Sequence, residues 1–317
     1  MGAAELALSP NQTEPLIGAF LGYHCSMSIL NVIILAIVQG LAELLPVSSS
    51  AHVVVAEKLL GLDPSSPPMT LLLVMLHTGT MFAVIAYFWR QWRGAYFSSG
   101  AAFKSVAGRI VVATLVTAIV GEIIIKILEK TALKDVPHSE IEDLFSHLEF
   151  IAPALAAAGI LILAAGLRER SPGTPPVGGN VGAADLSVKH AGIIGFVQGL
   201  CLPFRGFSRS GATISTGMLL GISKPRSESF SFALAVVLTP PVVFREVMRL
   251  RHAPDVLAGE LSSVALLCVF GAFVAFLAGL FALKWLSRWL ESGRWYLFGI
   301  YCLLASVAVT LLHRAGY

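Results

Sequence analysis

The sequence carries unusually little charge. Only 13% of its 317 residues are Asp, Glu, Lys or Arg, against about 25% in a typical soluble protein. Hydrophobic residues make up 56% of the chain, and the mean hydropathy is +0.79. So few charged side chains cannot cover a water-soluble domain of this size. The composition therefore excludes a soluble enzyme and a disordered chain, and it predicts a membrane protein with several spans.

The sequence also has few cysteines and a small net charge. None of the four cysteines stands in C-x-x-C spacing, so we expect small buried hydrophobic side chains, with no metal site or disulfide framework indicated. The net charge of +3 is too small to favour nucleic acid as a partner. Residues 1–25 lack the order of basic, apolar and small residues that marks a cleaved signal peptide.

Long apolar runs are abundant, by contrast. Two apolar regions, 29–61 and 190–222, are interrupted near the middle by polar residues. Each is predicted to form a broken re-entrant hairpin, because a second half of about 12 residues reaches only the middle of a bilayer. The predicted fold class is an all-α polytopic membrane protein with these two hairpins and six spanning helices of about 20 residues. The predicted spans are 70–89, 106–128, 149–167, 228–247, 261–283 and 295–312.

The two interrupted regions are copies of each other. Val38-Gln39-Gly40-Leu41 matches Val197-Gln198-Gly199-Leu200, and Leu59-Leu60-Gly61-Leu62 matches Leu219-Leu220-Gly221-Ile222. Three spans follow each copy, and this odd number of crossings predicts an inverted-topology repeat whose hairpins meet near the midplane. We expect one membrane domain with repeat one at about 29–167, a linker at 168–189 and repeat two at about 190–312. A small majority of Lys and Arg in the loops predicts that both termini lie outside.

Gln39 and Glu43 are the first candidate functional residues. They lie four positions apart on one half-helix and therefore share a face. A charged side chain at this depth costs about 2.5–3.5 kcal/mol, so it faces a cavity or a partner. A cation ligand or a base is favoured over a structural hydrogen bond, because Arg209 offers the opposite charge in the other hairpin.

Hydroxyl groups open the second half-helix of each hairpin. Two helix N-termini directed at one point form an anion site, and Arg209 can bind a phosphate bidentately. Helix capping explains one serine per hairpin but not Arg209. His52, three residues after Ser49, is either a structural residue or an acid or base beside that serine. The polar residues concerned are Ser48, Ser49, Ser50 and His52 in the first hairpin, and Ser208, Arg209, Ser210, Gly211 and Thr213 in the second.

Other polar residues in the apolar regions carry weaker signals. His77 lacks the neighbouring serine and carboxylate that make His52 a candidate, and it is interpreted as packing or pocket lining. Glu122 and Lys126 are spaced for a local ion pair on one helix. Glu57 and Lys58 are predicted to be interfacial, and the stretch 129–148 is predicted to be a loop outside the membrane.

Both hairpins resemble motifs of the undecaprenyl-diphosphate phosphatase family, the bacitracin-resistance membrane phosphatases. The matching segments are QGLAELLPVSSSAH, from Gln39 to His52, and GFSRSGATIS, from Gly206 to Ser215, and the resemblance extends over about 29–312. It implies a bacterial inner-membrane enzyme that removes the terminal phosphate of a polyprenyl diphosphate, using Mg²⁺ or Ca²⁺, to recycle the carrier lipid for cell-wall glycans. It further implies a site facing the outer side and bacitracin as a competitor for the lipid. Whether the protein forms a homodimer is left open.

The resemblance assigns roles by position. Gln39 stands where many members have Glu, and Arg205 stands where the family has Pro. Ser49 is either the nucleophile or a phosphate donor, and Glu43 and Gln39 are the expected metal ligands. The implied catalytic residues are Glu43, Ser49, His52 and Arg209, and the expected substrate-binding residues are Gln39, Ser48, Ser50, Ser208, Ser210, Gly211 and Thr213.

A polyprenyl-phosphate flippase or secondary transporter is the alternative function, because inverted repeats with broken helices are a common transporter architecture. Transport alongside hydrolysis also stays open. A phosphatidic-acid-type phosphatase would need a histidine six residues after Arg209, and position 215 is a serine.

Overall fold

The computed structural model describes residues 28–64, 66–131, 148–169, 186–251, 261–290 and 293–316. These residues form ten helices and contain no strand. Cys25, the segment examined for a signal peptide, nearly all of the predicted loop 129–148 and most of the linker 168–189 lie outside them. The helices are α1 (Ile29–Leu44), α2 (Ser49–Leu59), α3 (Pro67–Ala95), α4 (Gly100–Thr131), α5 (Leu148–Glu169), α6 (Val188–Cys201), α7 (Arg209–Leu219), α8 (Lys224–Arg251), α9 (Leu261–Leu290) and α10 (Tyr296–Arg314).

Six of the helices, α3, α4, α5, α8, α9 and α10, are long and apolar enough to cross a membrane. Each predicted span falls on one of them, which confirms the polytopic membrane fold. Large apolar side chains cover their outer surface, for example Leu266, Phe273 and Phe281 on α9. Such a surface suits a hydrocarbon solvent, because lipid tails are as apolar as the side chains facing them.

Both interrupted regions are helix–break–helix units, as expected. The first consists of α1, a break at 45–48 and α2, and the second of α6, a break at 202–208 and α7. The helices α2 and α7 have 11 residues each, which gives a length of about 17 Å at 1.5 Å per residue. That is roughly half of a bilayer core. Entry of the two hairpins from opposite faces stays a prediction.

The repeated glycines have equivalent surroundings. A Cβ atom on Gly40 would lie 2.5 Å from the Cβ of Ala278 in α9, and one on Gly199 would lie 2.7 Å from the Cβ of Val120 in α4. Each first half-helix therefore packs closely on a spanning helix of the other predicted repeat. The second repeated pair, Gly61 and Gly221, ends α2 and α7 with φ values of 70° and 85°.

The core surrounds the hairpin breaks. α5 packs on α10, and α3 packs on α8, so that each spanning helix of these pairs meets its counterpart from the other predicted repeat. A continuous cluster of buried side chains includes Leu44 and Val47 at the first break, Ile214 in α7 and Cys302 in α10. The first break and the helix α7 are thus held inside the helix bundle. Three of the four cysteines, Cys201, Cys268 and Cys302, are buried and free, as predicted.

Candidate active site

Four side chains converge on the carboxylate of Glu43, which is 11% exposed near the end of α1. Its Oε1 forms an ion pair with the guanidinium group of Arg209. Its Oε2 accepts hydrogen bonds from Ser49 Oγ at 2.5 Å and from Gln39 Nε2 at 2.9 Å. His77 Nε2 lies 3.4 Å from the same oxygen. The structure thus brings together Gln39, Glu43, Ser49 and Arg209, which the sequence had singled out.

The second hairpin reaches this carboxylate through its tip. Arg209 is the first residue of α7, and Ser208 caps that helix by accepting a hydrogen bond from the backbone N–H of Gly211 at 3.1 Å. Ser210 Oγ donates to the carbonyl of Leu45, in the break of the first hairpin, at 3.3 Å. The N-terminus of α7 therefore lies against the first break, where its free N–H groups and positive dipole end favour an anion.

Ser48 turns the chain sharply from the first break into α2. Its φ of 66° is the only positive value at a non-glycine residue in the part of the chain that the structure describes, and such a conformation costs about 1–3 kcal/mol. The Oγ atoms of Ser48 and Ser50 lie 3.4 Å apart. This turn places two hydroxyl groups beside the start of α2, one residue on either side of Ser49.

His52 forms its hydrogen bonds with groups other than Ser49 and Glu43. Its Nδ1 donates to the carbonyl of Ser48 at 2.7 Å, and its Nε2 lies 2.6 Å from the hydroxyl of Tyr301 in α10. The two rings are nearly parallel, at 11°. Both ring nitrogens are engaged in this way, while the hydroxyl of Ser49 points to Glu43. Tyr301 lies 249 positions away in the sequence, and no sequence signal connects it with His52.

His77 belongs to this cluster, although the sequence analysis did not select it as a candidate site residue. It lies in α3, its Nδ1 lies 2.8 Å from the carbonyl of Leu73, and its side chain is 32% exposed. Its position agrees with the interpretation as pocket lining, and its Nε2 faces Glu43. A polar ring in the middle of an apolar span was the available signal, since such residues face a cavity or a partner.

Thr213 and Gly211 serve the packing of α7. Thr213 is fully buried, and its Oγ1 bonds to the carbonyl of Arg209 at 2.8 Å and to Ser231 Oγ of α8 at 2.5 Å. A Cβ atom on Gly211 would lie 2.7 Å from Ile162 in α5. Contact of either residue with substrate stays a prediction, as does the contact expected for Ser208 and Ser210.

Two other expectations concern charged residues outside this cluster. Glu122 and Lys126 form the expected ion pair, at 3.2 Å. The interfacial position of Glu57 stays a prediction; its side chain is 2% exposed, and its Oε2 has no hydrogen-bond partner. This burial arises because α2 packs into the bundle, where its Ala51 and Val54 contact apolar residues of α5 and α10.

The predicted metal ligands, Glu43 and Gln39, provide oxygen atoms as possible donors to a cation. No three His, Cys, Asp or Glu side chains form a metal-binding group within the described ranges. Gln39 is fully buried, however, and its Oε1 has no hydrogen-bond partner. An unpaired amide oxygen beside a carboxylate is the oxygen donor set that Mg²⁺ and Ca²⁺ prefer, and Mg²⁺ commonly takes one or two carboxylates plus substrate phosphates. The residues present fit such a jointly bound ion.

The chain is similar to known proteins over most of its length. A family model described as "Bacitracin resistance protein BacA" matches residues 32–308. The chain is 55% identical over 291 residues to Undecaprenyl-diphosphatase 2 of Acinetobacter baylyi, covering 90% of this chain and 99% of the relative. It is 35% identical over 289 residues to Undecaprenyl-diphosphatase of Desulfosudis oleivorans, covering 86% and 94%. Identity to Undecaprenyl-diphosphatase of Rhodopirellula baltica is 32% over 286 residues, covering 90% and 98%.

Proposed function

Since the chain belongs to the bacitracin resistance protein BacA family, we propose that the cluster around Glu43 hydrolyses undecaprenyl diphosphate to undecaprenyl phosphate and phosphate. The ion pair between Arg209 and Glu43 carries this proposal. It joins the tips of two broken helices inside a membrane protein, where Arg209 offers a positive charge to an anionic lipid head group.

Arg209 is the phosphate clamp in this proposal. Its planar guanidinium group can donate two parallel hydrogen bonds to one phosphate. The N-terminus of α7 and the hydroxyls of Ser48 and Ser50 supply further donors on either side of the break. Both Arg209 and Ser49 bind Glu43 in the structure. Arg209 exchanges this carboxylate for the phosphate when the lipid head group enters, and Ser49 leaves it when its hydroxyl group turns to the phosphate.

Glu43 is the base in both routes to hydrolysis. If Ser49 attacks, its Oγ forms a bond to the terminal phosphorus, Glu43 takes the hydroxyl proton across the existing hydrogen bond, and undecaprenyl phosphate leaves. Water then cleaves the phosphoserine to release phosphate. If water attacks directly, Glu43 takes the water proton and Ser49 donates to the phosphate. Isolation of a phosphorylated Ser49 peptide after rapid acid quench distinguishes the first route from the second.

A divalent cation held by Glu43 and Gln39 would neutralise the diphosphate and withdraw charge from the bond that breaks. His52 contributes by holding the turn at Ser48, whose carbonyl accepts its Nδ1–H. A part for His52 in proton transfer, which the family resemblance implies, requires its Nε2 to leave the hydroxyl of Tyr301.

The location follows from the same proposal. The six spanning helices place the protein in a membrane, and we assign it to the bacterial inner membrane with the site open to the outer side. The prenyl tail leaves the site sideways between helices into lipid. Bacitracin, which binds the same diphosphate lipid, then competes with the enzyme for substrate.

Phosphate release from undecaprenyl diphosphate by the purified protein tests this function. We expect activity that a chelator abolishes and that added Mg²⁺ or Ca²⁺ restores. The variants Glu43→Gln and Arg209→Gln should each lose about 10²–10⁴-fold in kcat, whereas Glu122→Gln, on the exposed ion pair of α4, should retain full activity. Normal turnover in a Glu43→Ala, Arg209→Ala double variant contradicts the site assignment.

A further inference from the structure

We propose that His77 is a third protein ligand, beside Glu43 and Gln39, of the divalent cation in this site. The inference rests on the proposed function, which supplies the cation. Nothing in the sequence motifs points to His77, since it lies in the third helix and outside both hairpins.

The hydrogen bond of His77 Nδ1 shows that this nitrogen carries a proton. Nδ1 lies 2.8 Å from the carbonyl oxygen of Leu73, which can only accept, so Nδ1 carries the proton. Nε2 is the ring nitrogen that faces Glu43, and it is therefore the one that can offer a lone pair to a metal ion. Histidines that bind metals typically hold their other ring N–H on a backbone carbonyl or carboxylate in this way.

The contact between His77 and Glu43 does not have the properties of a hydrogen bond. Its 3.4 Å length lies beyond the usual range of about 2.7–3.2 Å between nitrogen and oxygen. Oε2 of Glu43 already accepts from Ser49 and Gln39, which use the two lone pairs of one carboxylate oxygen. A metal ion bound by both atoms accounts for a contact of this length, whereas a proton on Nε2 would favour a shorter one of about 2.7–2.9 Å.

The spacing suits two ligands of a single ion. Two atoms that each lie about 2.1 Å from one metal are roughly 3.0–3.4 Å apart. Ser49 releases one lone pair of Oε2 when it turns to the phosphate, and the buried Oε1 of Gln39 has no other partner. One imidazole nitrogen, one carboxylate and one amide oxygen then bind the ion, and the phosphates complete its shell.

An imidazole ligand changes which ions the site prefers. Nitrogen donors suit Mn²⁺ and later transition metals better than they suit Ca²⁺, which takes oxygen ligands almost exclusively. We therefore expect the protein to bind Mn²⁺ more tightly than Ca²⁺, and this preference to depend on His77.

Pulsed electron paramagnetic resonance of Mn²⁺ bound to the purified protein with undecaprenyl phosphate tests the assignment directly. The wild-type spectrum should show a ¹⁴N coupling from a directly bound imidazole, and His77→Gln should lose it and bind Mn²⁺ about 10–100-fold more weakly. His190→Gln is the matched control, since His190 caps α6 away from the site, and it should retain both. Unchanged circular dichroism spectra show that the variants fold.

Each alternative outcome is decisive. Tight Mn²⁺ binding without ¹⁴N coupling, or a coupling that persists in His77→Gln, overturns the role of His77 and leaves the cation-dependent function standing. Failure of Mn²⁺, Mg²⁺ and Ca²⁺ to bind at all overturns the cation in the proposed function and the role of His77 with it.

Discussion

The ion pair between Glu43 and Arg209 should hold the two hairpins together as well as serve the reaction. Their side chains are 11% and 29% exposed, so neither charge has free access to water. Removing one partner of a buried pair typically costs about 3–5 kcal/mol, because the other charge stays buried without its counter-charge. The more buried Glu43 should suffer more, so Arg209→Gln should destabilise the fold more than Glu43→Gln does.

The double variant separates this coupling from general damage. In Glu43→Gln, Arg209→Gln, two neutral amides face each other and no charge is left alone. Its loss of stability should fall short of the combined losses of the single variants by about 1–3 kcal/mol. A change of 1 kcal/mol shifts the Tm of a chain of this size by about 2 °C, so Arg209→Gln should lower the Tm by about 6–10 °C.

Thermal unfolding of the four proteins in detergent, followed by far-UV circular dichroism, measures these shifts. Glu122→Gln is the control, because the pair of Glu122 with Lys126 is 61% and 64% exposed, and exposed pairs contribute only about 0–1 kcal/mol. Strictly additive losses in the double variant, or a shift at Glu122 as large as the one at Arg209, would refute the reasoning.

Three further substitutions test the surroundings of the site. In Gly206→Ala the new Cβ would lie 2.5 Å from the carbonyl oxygen of Ile151 at a φ of 110°, so phosphate release should fall at least tenfold as the loop before Arg209 shifts; unchanged kinetics would show that the loop adapts. Tyr301→Phe removes the 2.6 Å contact to His52 and should lower kcat several-fold while the Tm changes little, which parallel kinetic and melting measurements check. Ser215→Ala leaves the buried indole N–H of Trp295 without its 3.0 Å acceptor, at a cost of about 1–3 kcal/mol, so the Tm should drop by about 2–6 °C with kcat retained.

Hydropathy and internal repetition were enough to predict the helices and the meeting of the hairpin tips. Apolar length determines which segments can cross a bilayer. A polar break within such a segment must be buried in protein or line a water-filled cavity. The Gln-Gly pair occurs in both copies, and in the structure Gly40 and Gly199 provide equivalent close contacts with spanning helices. The pairing of Glu43 with Arg209 followed from opposite charges at depths where each needs a partner.

The rotation of the spanning helices about their axes could not be predicted. In a soluble protein the polar face of a helix reveals which side is buried, but in lipid both the outer and the inner faces are apolar. His77 therefore gave no sign that it points to Glu43 rather than to a neighbouring helix. The same holds for Tyr301, which is 44% exposed and reaches His52 from α10, and for Glu57, whose burial depends on how α2 packs between α5 and α10.

The proposed site has glutamine at position 39, where the resemblance to the family implies glutamate in many members. A second carboxylate at 2.9 Å from Glu43 would repel it strongly unless a cation lay between them. The amide of Gln39 instead donates to Glu43 and holds the carboxylate in place, while its other atom stays an unpaired oxygen. In the proposed site, the negative charge absent at position 39 lowers the attraction for a hard cation, and a nitrogen ligand from His77, which lies 3.4 Å from the same carboxylate, would compensate for it. We therefore expect the roles of Gln39 and His77 to depend on each other through Glu43.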